Sequence, residues 1–521
     1  MERHARMKDA LIAAALALVT LALAAGLLDR GHQWGDDFAG YILQAKAIVE
    51  DRVQEQAEIN AVLHPSRRDF GGDSGDGPLT YVWGLPMLLS VIYRLVGYDM
   101  PTGENIIWFK LPGVLMLSAA AAIAYLFFRR RFSRPVSAVL STVLCLNCDV
   151  LMESKYVLTD IPCMALSLLA LLLIEVFLSQ RQGRVRVLTG VALGAAMWFT
   201  SEMRLNGKTV AMVIGLAHVI GLLHEKPRGR AWFVHAVPWV TMAALWGVTR
   251  IFLPAATSNT SHIAGGANWW ILHNIKAYDE ELGRWLGRML PRGLPLAGYA
   301  RFLLYALIVT GMVTHGIREN LHLTALTVGT FAVLILLPYY QGIRYLFNVL
   351  PLLLMFAAYG AGFLMGLLAK RPVVQRGARV LCGAVLAVML LGTAQYTVQQ
   401  EIWHASAGGT RVQYDLYSDD IKDMFTYVYT QTEEDAVIAF FKPRLLYLNT
   451  GRVGVVPDVG GHTFSEADYI LLSSDPELDC MRLSMWPELW AQMELVYDNG
   501  GFELYRLLPE QQANAAQGAG A

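Results

Sequence analysis

The sequence predicts an all-α polytopic membrane domain followed by a small α/β domain. Three observations carry that reading. Of 521 residues, 55% are hydrophobic and only 16% charged; the mean hydropathy is +0.39; and Lys and Arg sit in short clusters between long apolar runs. A soluble chain carries charge at about a quarter of its positions. The net charge of −1 says little about partners other than membrane lipids, because distribution outweighs the sum. No nucleic-acid footprint is present.

Arg3, Arg6 and Lys8 precede an apolar run over 9–28, long enough to cross a hydrocarbon core of about 30 Å. The basic flank puts the N-terminus in the cytoplasm. Ala22-Leu23-Ala24 loosely imitates a signal-peptide cleavage site, but the run is long for a signal and many spans follow, so it reads as retained. Further spans are expected over 106–128, 135–151, 161–178, 187–200, 209–223, 232–253, 296–314, 321–339, 346–368 and 380–396, about eleven in all with the first. Segment 79–93 is apolar but short and interrupted by Gly84 and Pro86, which suits an interfacial or re-entrant helix. Parity agrees. If 79–93 does not cross, Arg129-Arg130-Arg131, the basic residues of 181–186 and 226–230, Arg318 and those of 370–379 all fall on the cytoplasmic side, as positive-inside asymmetry requires.

The same count places Tyr156, Thr159 and Asp160 on the outer face with Asp36 and Asp37. It makes 1–396 the membrane domain and sends 397–510 outside as an extracytoplasmic α/β domain large enough for its own core. The Gln/Ala/Gly-rich 511–521 reads as a disordered tail. Within the outer domain, 418–430 has helical spacing, 436–441, 469–472, 495–497 and 502–507 read as strands, and Asp498-Asn499-Gly500-Gly501 is a hairpin turn. Of five cysteines, Cys145, Cys148, Cys163 and Cys382 lie in or near spans and Cys480 in the tail, which implies packing roles rather than a disulfide framework.

Trp34-Gly35-Asp36-Asp37-Phe38 sets two adjacent carboxylates just past the first span. A charge there costs several kcal/mol depending on depth, so the pair points to a functional site; the other reading is two solvated acids capping the next helix. Asp160, in Thr159-Asp160-Ile161-Pro162, is either a plain helix cap or a cap with a role in the site.

The acidic pair, the Gly-Pro-Leu-Thr-Tyr ending at Tyr81, the Thr159-Asp160-Ile161-Pro162 turn, and Arg344-Tyr345 leading to Pro351 together resemble the GT-C membrane glycosyltransferases, most of all the protein O-mannosyltransferase and aminoarabinose transferase branches. The resemblance runs over most of 1–396. Each motif is short, and the strength lies in the ordered set. The tail from Val437 through Lys442-Pro443-Arg444 to Thr450-Gly451-Arg452 is similar to the extracytoplasmic end of bacterial members.

The resemblance implies the GT-C fold and a bacterial cytoplasmic-membrane enzyme. Such an enzyme takes a hexose or pentose from a polyprenyl-phosphate donor and transfers it, with inversion, to a lipid, glycan or protein acceptor outside. It assigns the base to Asp36 or Asp37, with Asp36 favoured and its neighbour capping or orienting. Asp160 matches the second outer-loop acid, which binds a metal or steers the acceptor; a divalent metal there stays open, and no other cofactor is implied. A donor phosphate needs cations at membrane level, and Lys155, Arg204, Lys208 and Arg344 qualify. Arg344 leads because a guanidinium offers phosphate a bidentate fork, although arginines at such depths also snorkel to headgroups.

Gly75-Asp76-Gly77-Pro78-Leu79 stands where aminoarabinose transferases carry Glu-Lys-Pro-Pro-Leu; Asp76 keeps the acid but the lysine is gone. Ala39-Gly40 replaces an Arg-Tyr, Asn348 replaces a proline, and Tyr41 and Tyr345 complete the substrate-binding set. These departures count against aminoarabinose as the sugar. The loop 254–295, with His262, Trp269, Trp270 and His273, suits a sugar-binding lid or an interfacial anchor. A flippase or transporter of lipid-linked sugars is the alternative, but it calls for mid-bilayer ionisable residues and internal repeats.

Overall fold

The structure is a computed structural model. It describes residues 2–63, 80–180, 183–229, 231–256, 269–293, 297–337, 340, 342–368, 372–406, 416, 418–456, 467–475 and 492–508. In chain order the helices are α1 (Glu2–Gly26), α2 (Asp36–Val49), α3 (Val53–Leu63), α4 (Gly84–Val96), α5 (Ile106–Arg129), α6 (Arg134–Cys145), α7 (Cys148–Glu153), α8 (Asp160–Ser179), α9 (Gly183–Met203), α10 (Gly207–Glu225), α11 (Ala231–Phe252), α12 (Trp269–Gly287), α13 (Ala297–Gly311), α14 (Ile317–Glu319), α15 (Leu321–Leu336), α16 (Leu350–Leu368), α17 (Pro372–Ser406), α18 (Asp419–Gln431) and α19 (Pro443–Thr450). Eight described helices are long and apolar enough to cross a membrane, and the chain is a multi-pass membrane protein.

Two compact units form. The first takes Met1–Leu28, Lys110–Phe252 and His262–Ala407; the second takes Asp29–Phe109, Leu253–Ser261 and Gly408–Ala521. The segment carrying the acidic pair therefore folds with the tail.

In the first unit, helices run back and forth around a core that includes Leu117, Phe127, Phe128, Leu168, Phe177, Trp285 and Phe356. α13 and α16 approach closely because Gly311 and Gly360 face them: a Cβ on Gly311 would lie 1.9 Å from the Phe356 carbonyl oxygen, and one on Gly360 2.0 Å from that of Leu307. Small residues let helix backbones meet where lipid gives no hydrophobic drive. The run expected to span 135–151 is instead broken. Asn147 ends it by accepting the Asp149 N–H at 3.0 Å, and α6 at 12 residues is too short to cross alone.

One end of this unit is held by ion pairs. Asp9 pairs with Arg129 at 3.1 Å and Arg134 at 2.7 Å, Glu175 with Arg130 at 2.9 Å and also Arg131, and Glu225 with Arg186 at 2.8 Å.

In the second unit, α2 packs against α4 and α19, and the tail forms a five-stranded sheet. β1 (Val437–Ala439), β2 (Val453–Val455), β3 (Tyr469–Ser473), β4 (Met493–Asp498) and β5 (Phe502–Leu507) lie in the order β2-β1-β3-β5-β4. β1 pairs in parallel with β2 and β3; β5 pairs antiparallel with β3 and β4. The β4–β5 turn falls at Asp498–Gly501. Gly500 adopts φ +80°, the αL region that glycine enters without penalty, and Asn499 Oδ1 accepts the Phe502 N–H at 2.9 Å. α19 and β2 were not expected from the sequence. α19 starts on Pro443 and ends at Gly451 with φ +71°, a proline-first, glycine-last helix.

Candidate active site

Asp36 and Asp37 open α2, and no side chain caps the Gly35 turn before them. Acids suit this end of a helix, where the dipole is positive, but neither is merely solvated. Asp36 Oδ1 accepts the Leu445 N–H at 3.2 Å, from the first turn of α19. Its Oδ2 lies 3.9 Å from Arg444 Nε, is fully enclosed, and accepts no hydrogen bond among the described residues. Burial pushes the Asp36 carboxyl above its ordinary range, opposed by Arg444, Lys442 and the Leu445 N–H and reinforced by Asp37.

Asp37 Oδ1 accepts the Tyr81 hydroxyl at 2.7 Å, and Tyr81 Oη in turn accepts from Arg444 Nη1 at 2.5 Å. Burial and the Asp37 charge raise the Tyr81 phenol, so it stays a hydrogen-bond donor. Two features fix this ring. The buried Gln44 carboxamide grips the Tyr81 backbone, donating to its carbonyl at 3.1 Å and accepting its N–H at 2.8 Å. Gly40 leaves room on α2: a Cβ there would lie 2.5 Å from Tyr81 Cε2. The Ala39-Gly40 departure thus has a physical reason, since a larger side chain at 40 would displace the tyrosine. Tyr41 is buried with its ring 4.6 Å from that of Tyr81. Asp76 and His262 lie outside the described residues.

The first unit gathers a second set. Asp160 begins α8, with its side chain 1% exposed. Its Oδ1 accepts from Arg204 Nη1 at 2.6 Å, and the same nitrogen donates to Thr159 Oγ1 at 3.0 Å. Asp160 Oδ2 accepts no hydrogen bond among the described residues. The Arg204 guanidinium stacks 4.2 Å from the Tyr345 ring centroid, with Arg344 5.7 Å from the same ring. Glu153, at the end of α7, faces Asp160, Arg344 and Arg204, and burial followed by the Asp160 charge raises its carboxyl.

Asp160, Arg204, Arg344 and Tyr345 are thus brought together. Lys155 is fully buried with its ammonium 5.8 Å from the Tyr156 ring, while Lys208 is exposed on the first turn of α10. Among the described residues, no three His, Cys, Asp or Glu side chains are grouped to hold a metal ion, and Arg204 already takes one Asp160 oxygen. This donor set does not by itself make a metal site.

Sequence reasoning missed Glu153, Tyr81 as the partner of Asp37, and Arg444 as the partner of Asp36. The carboxylates of both sets sit beside cations under cover, an arrangement that accumulates at functional sites.

No family model matches the chain, and no curated protein is found similar to it. Solved structures are similar. The crystal structure of ArnT from Cupriavidus metallidurans bound to undecaprenyl phosphate superposes with TM-score 0.54 at 14% identity, covering 94% of this chain and 97% of that one. Its apo state gives TM-score 0.52 at 14% identity over 96% and 98%. An oligosaccharyltransferase of Archaeoglobus fulgidus, crystallised with zinc and sulfate, gives 0.49 at 11% identity over 95% and 74%. The ArnT likeness extends along nearly the whole of both chains, and it is a likeness of fold: this chain is built on the GT-C architecture.

Proposed function

We propose that the chain is an inverting glycosyltransferase that moves a sugar from a polyprenyl-phosphate donor to an acceptor hydroxyl on the outer face of the cytoplasmic membrane. The observation that carries the reading is Asp36. One carboxylate oxygen is anchored by a backbone N–H and the other accepts no hydrogen bond among the described residues, on a fold shared with a protein crystallised with undecaprenyl phosphate. A buried polar atom that accepts no hydrogen bond calls for an explanation, and a base awaiting a proton supplies one.

In this reading Asp36 Oδ2 takes the proton of the acceptor hydroxyl. The acceptor oxygen attacks the anomeric carbon from the face opposite the phosphate, and the bond from that carbon to the phosphate oxygen breaks. The electron pair leaves with the polyprenyl phosphate. A base whose pKa is raised toward the working pH is the more effective proton acceptor. Asp37, held by Tyr81, orients the pair. In the first unit, the Arg204 and Arg344 guanidinium groups, 4.2 and 5.7 Å from the Tyr345 ring centroid, are cations of the kind a lipid phosphate requires.

Topology supports the outer assignment. Within the first unit the ion-paired arginines Arg129, Arg130, Arg131 and Arg186 gather at one end, which positive-inside asymmetry places in the cytoplasm with the N-terminus, whereas Asp160 and Arg204 lie at the opposite ends of α8 and α9.

The test is transfer from a radiolabelled polyprenyl-phosphate sugar in membranes, comparing Asp36→Asn and Asp37→Asn with wild type. Loss of a positioned base costs about 10²- to 10⁴-fold, expected for Asp36→Asn. Full activity in both variants would remove the mechanism. Glycan and lipid analysis of a deletion strain identifies the acceptor, because the missing product names it.

A further inference from the structure

The carboxylates at the start of α2 are served by one cation from the far end of the chain. Arg444 is 3% exposed. Its Nη1 donates to Tyr81 Oη, whose hydroxyl donates to Asp37, while its Nε stands 3.9 Å from Asp36 Oδ2. The guanidinium also lies 5.0 Å from the Tyr81 ring centroid. A buried ion is costly unless paired, and here a single guanidinium answers two acids, one directly and one through a phenol. A planar fork can do this; an ammonium on a flexible stem cannot hold both directions at once.

The tail's own fold sets where Arg444 stands. Pro443 starts α19, and Gly454 lets β2 lie against it, since a Cβ there would be 2.6 Å from Pro443 Cα. The next residue, Leu445, donates its N–H to Asp36. The first turn of α19 thus grips Asp36 with both a backbone dipole and a side-chain charge.

We propose that Arg444, delivered by the tail helix, is the positioning residue of the acidic pair, and that the tail thereby completes the catalytic centre of this unit. The proposal deepens the reading of Asp36 as the base and rests on it. Burial alone drives Asp36 toward its neutral form, and Arg444 is the largest influence opposing that drive. Other charged groups around Asp36 act less. Lys442 adds to Arg444 and Asp37 opposes it; Arg52 and Glu55 pair with each other and face Tyr447; Arg94, the one charged residue of α4, is exposed.

The experiment is an infrared titration of the protonated-carboxyl stretch in the full-length protein. The Asp36 band is isolated by subtracting the same titration of a matched Asp36→Asn protein. It is run alongside the pH profile of sugar transfer from a radiolabelled polyprenyl-phosphate donor. Arg444→Gln is expected to raise the Asp36 midpoint by about one pH unit or more and to move the acid limb of the transfer profile with it, while Arg444→Lys restores most of the midpoint. Tyr81→Phe, which keeps the Arg444–Asp36 pair, should leave the midpoint in place and lower the transfer rate.

A folded Arg444→Gln protein with an unmoved midpoint overturns the proposal. Should Arg444→Gln fail to fold, the lysine and phenylalanine variants decide it: a midpoint in Arg444→Lys raised as far as removal of the charge would raise it, or a wild-type rate in Tyr81→Phe, also overturns it. The infrared signal does not depend on turnover. A midpoint that shifts in a chain that transfers no sugar would therefore refute the enzyme reading and leave the positioning intact.

Discussion

Replacing Gly40 by alanine adds one methyl group to α2, and the structure fixes what that methyl meets. The new Cβ would lie 2.5 Å from Tyr81 Cε2 and 3.1 Å from Cδ2, with Arg444 Cδ at 3.4 Å. Ordinary contact begins at 3.4 Å, so the ring must retreat by about 0.9 Å. The Tyr81 backbone cannot follow, because Gln44 holds both its N–H and its carbonyl, and the side chain has to rotate instead. Such a rotation carries the hydroxyl away from its present position and strains the 2.7 Å hydrogen bond from Tyr81 Oη to Asp37 Oδ1, which weakens as it lengthens.

Overpacking of this kind costs about 1–3 kcal/mol, and losing a hydrogen bond to a charged group about 1.5–3 kcal/mol. The gain from alanine in a helix, about 1 kcal/mol, offsets only part of this. The expected result is a protein that still folds but transfers sugar roughly tenfold more slowly, equivalent to about 1.4 kcal/mol. Two controls make the assay decisive. Gly35→Ala, where a Cβ meets nothing within 4 Å, should be near neutral. In a Tyr81→Ala background, Gly40→Ala should cost little more, because the ring it strikes is gone; the two effects should be strongly non-additive. Wild-type transfer by Gly40→Ala, or additive losses in the double variant, would show that the Tyr81 position does not matter to the pair.

Three further outcomes are expected. Because the folded Asp36 carboxyl stands above its ordinary value of 3.8, its ionisation weakens the fold as the pH rises from there through the raised value. Thermal unfolding across the acid range should show that slope in wild type and a flatter one in Asp36→Asn. Sugar transfer should fall as the pH drops through the same raised value. Arg204→Lys keeps a charge but loses the planar group that stacks on Tyr345 and bridges Thr159 and Asp160; donor KM should rise about tenfold with a smaller change in kcat, and an unchanged KM would detach Arg204 from the donor. Asn147→Ala removes the cap that starts α7 and should cost about 1 kcal/mol of stability, read by thermal unfolding in detergent, with transfer unchanged at permissive temperature.

The membrane architecture was legible because length and apolarity decide it. Runs such as 106–128 and 161–178 appear as α5 and α8 within a few residues of their expected ends. The break at Asn147 was not read from the run's length and apolarity: there the Asn147 side chain accepts the Asp149 N–H and donates to the distant Trp285 carbonyl, a partner the local sequence does not announce. In the tail, α18 and the hairpin turn at Gly500 followed from acids at a helix start and from turn chemistry, whereas β2 is three residues long and takes its stability from pairing with β1, which no local pattern announces.

The candidate site divides in the same way. The position of the acidic pair just past an apolar run marked it out, because carboxylates there need a reason. What the pair touches could not be read locally. Tyr81 lies 44 residues from Asp37, and Leu445 lies 409 residues from Asp36. Tyr81 and Arg444 each close a short motif, but nothing in either motif says which acid it meets. Glu153 was passed over for a related reason. At the end of a short apolar helix it looks like a solvated terminus, and only its enclosure beside Asp160, Arg204 and Arg344 makes it unusual. A carboxylate's partners are fixed by the tertiary fold, whereas its need for partners is already present in the sequence. The productive question for such an acid is therefore which distant cation answers it, and here the answer on the acidic-pair side is Arg444.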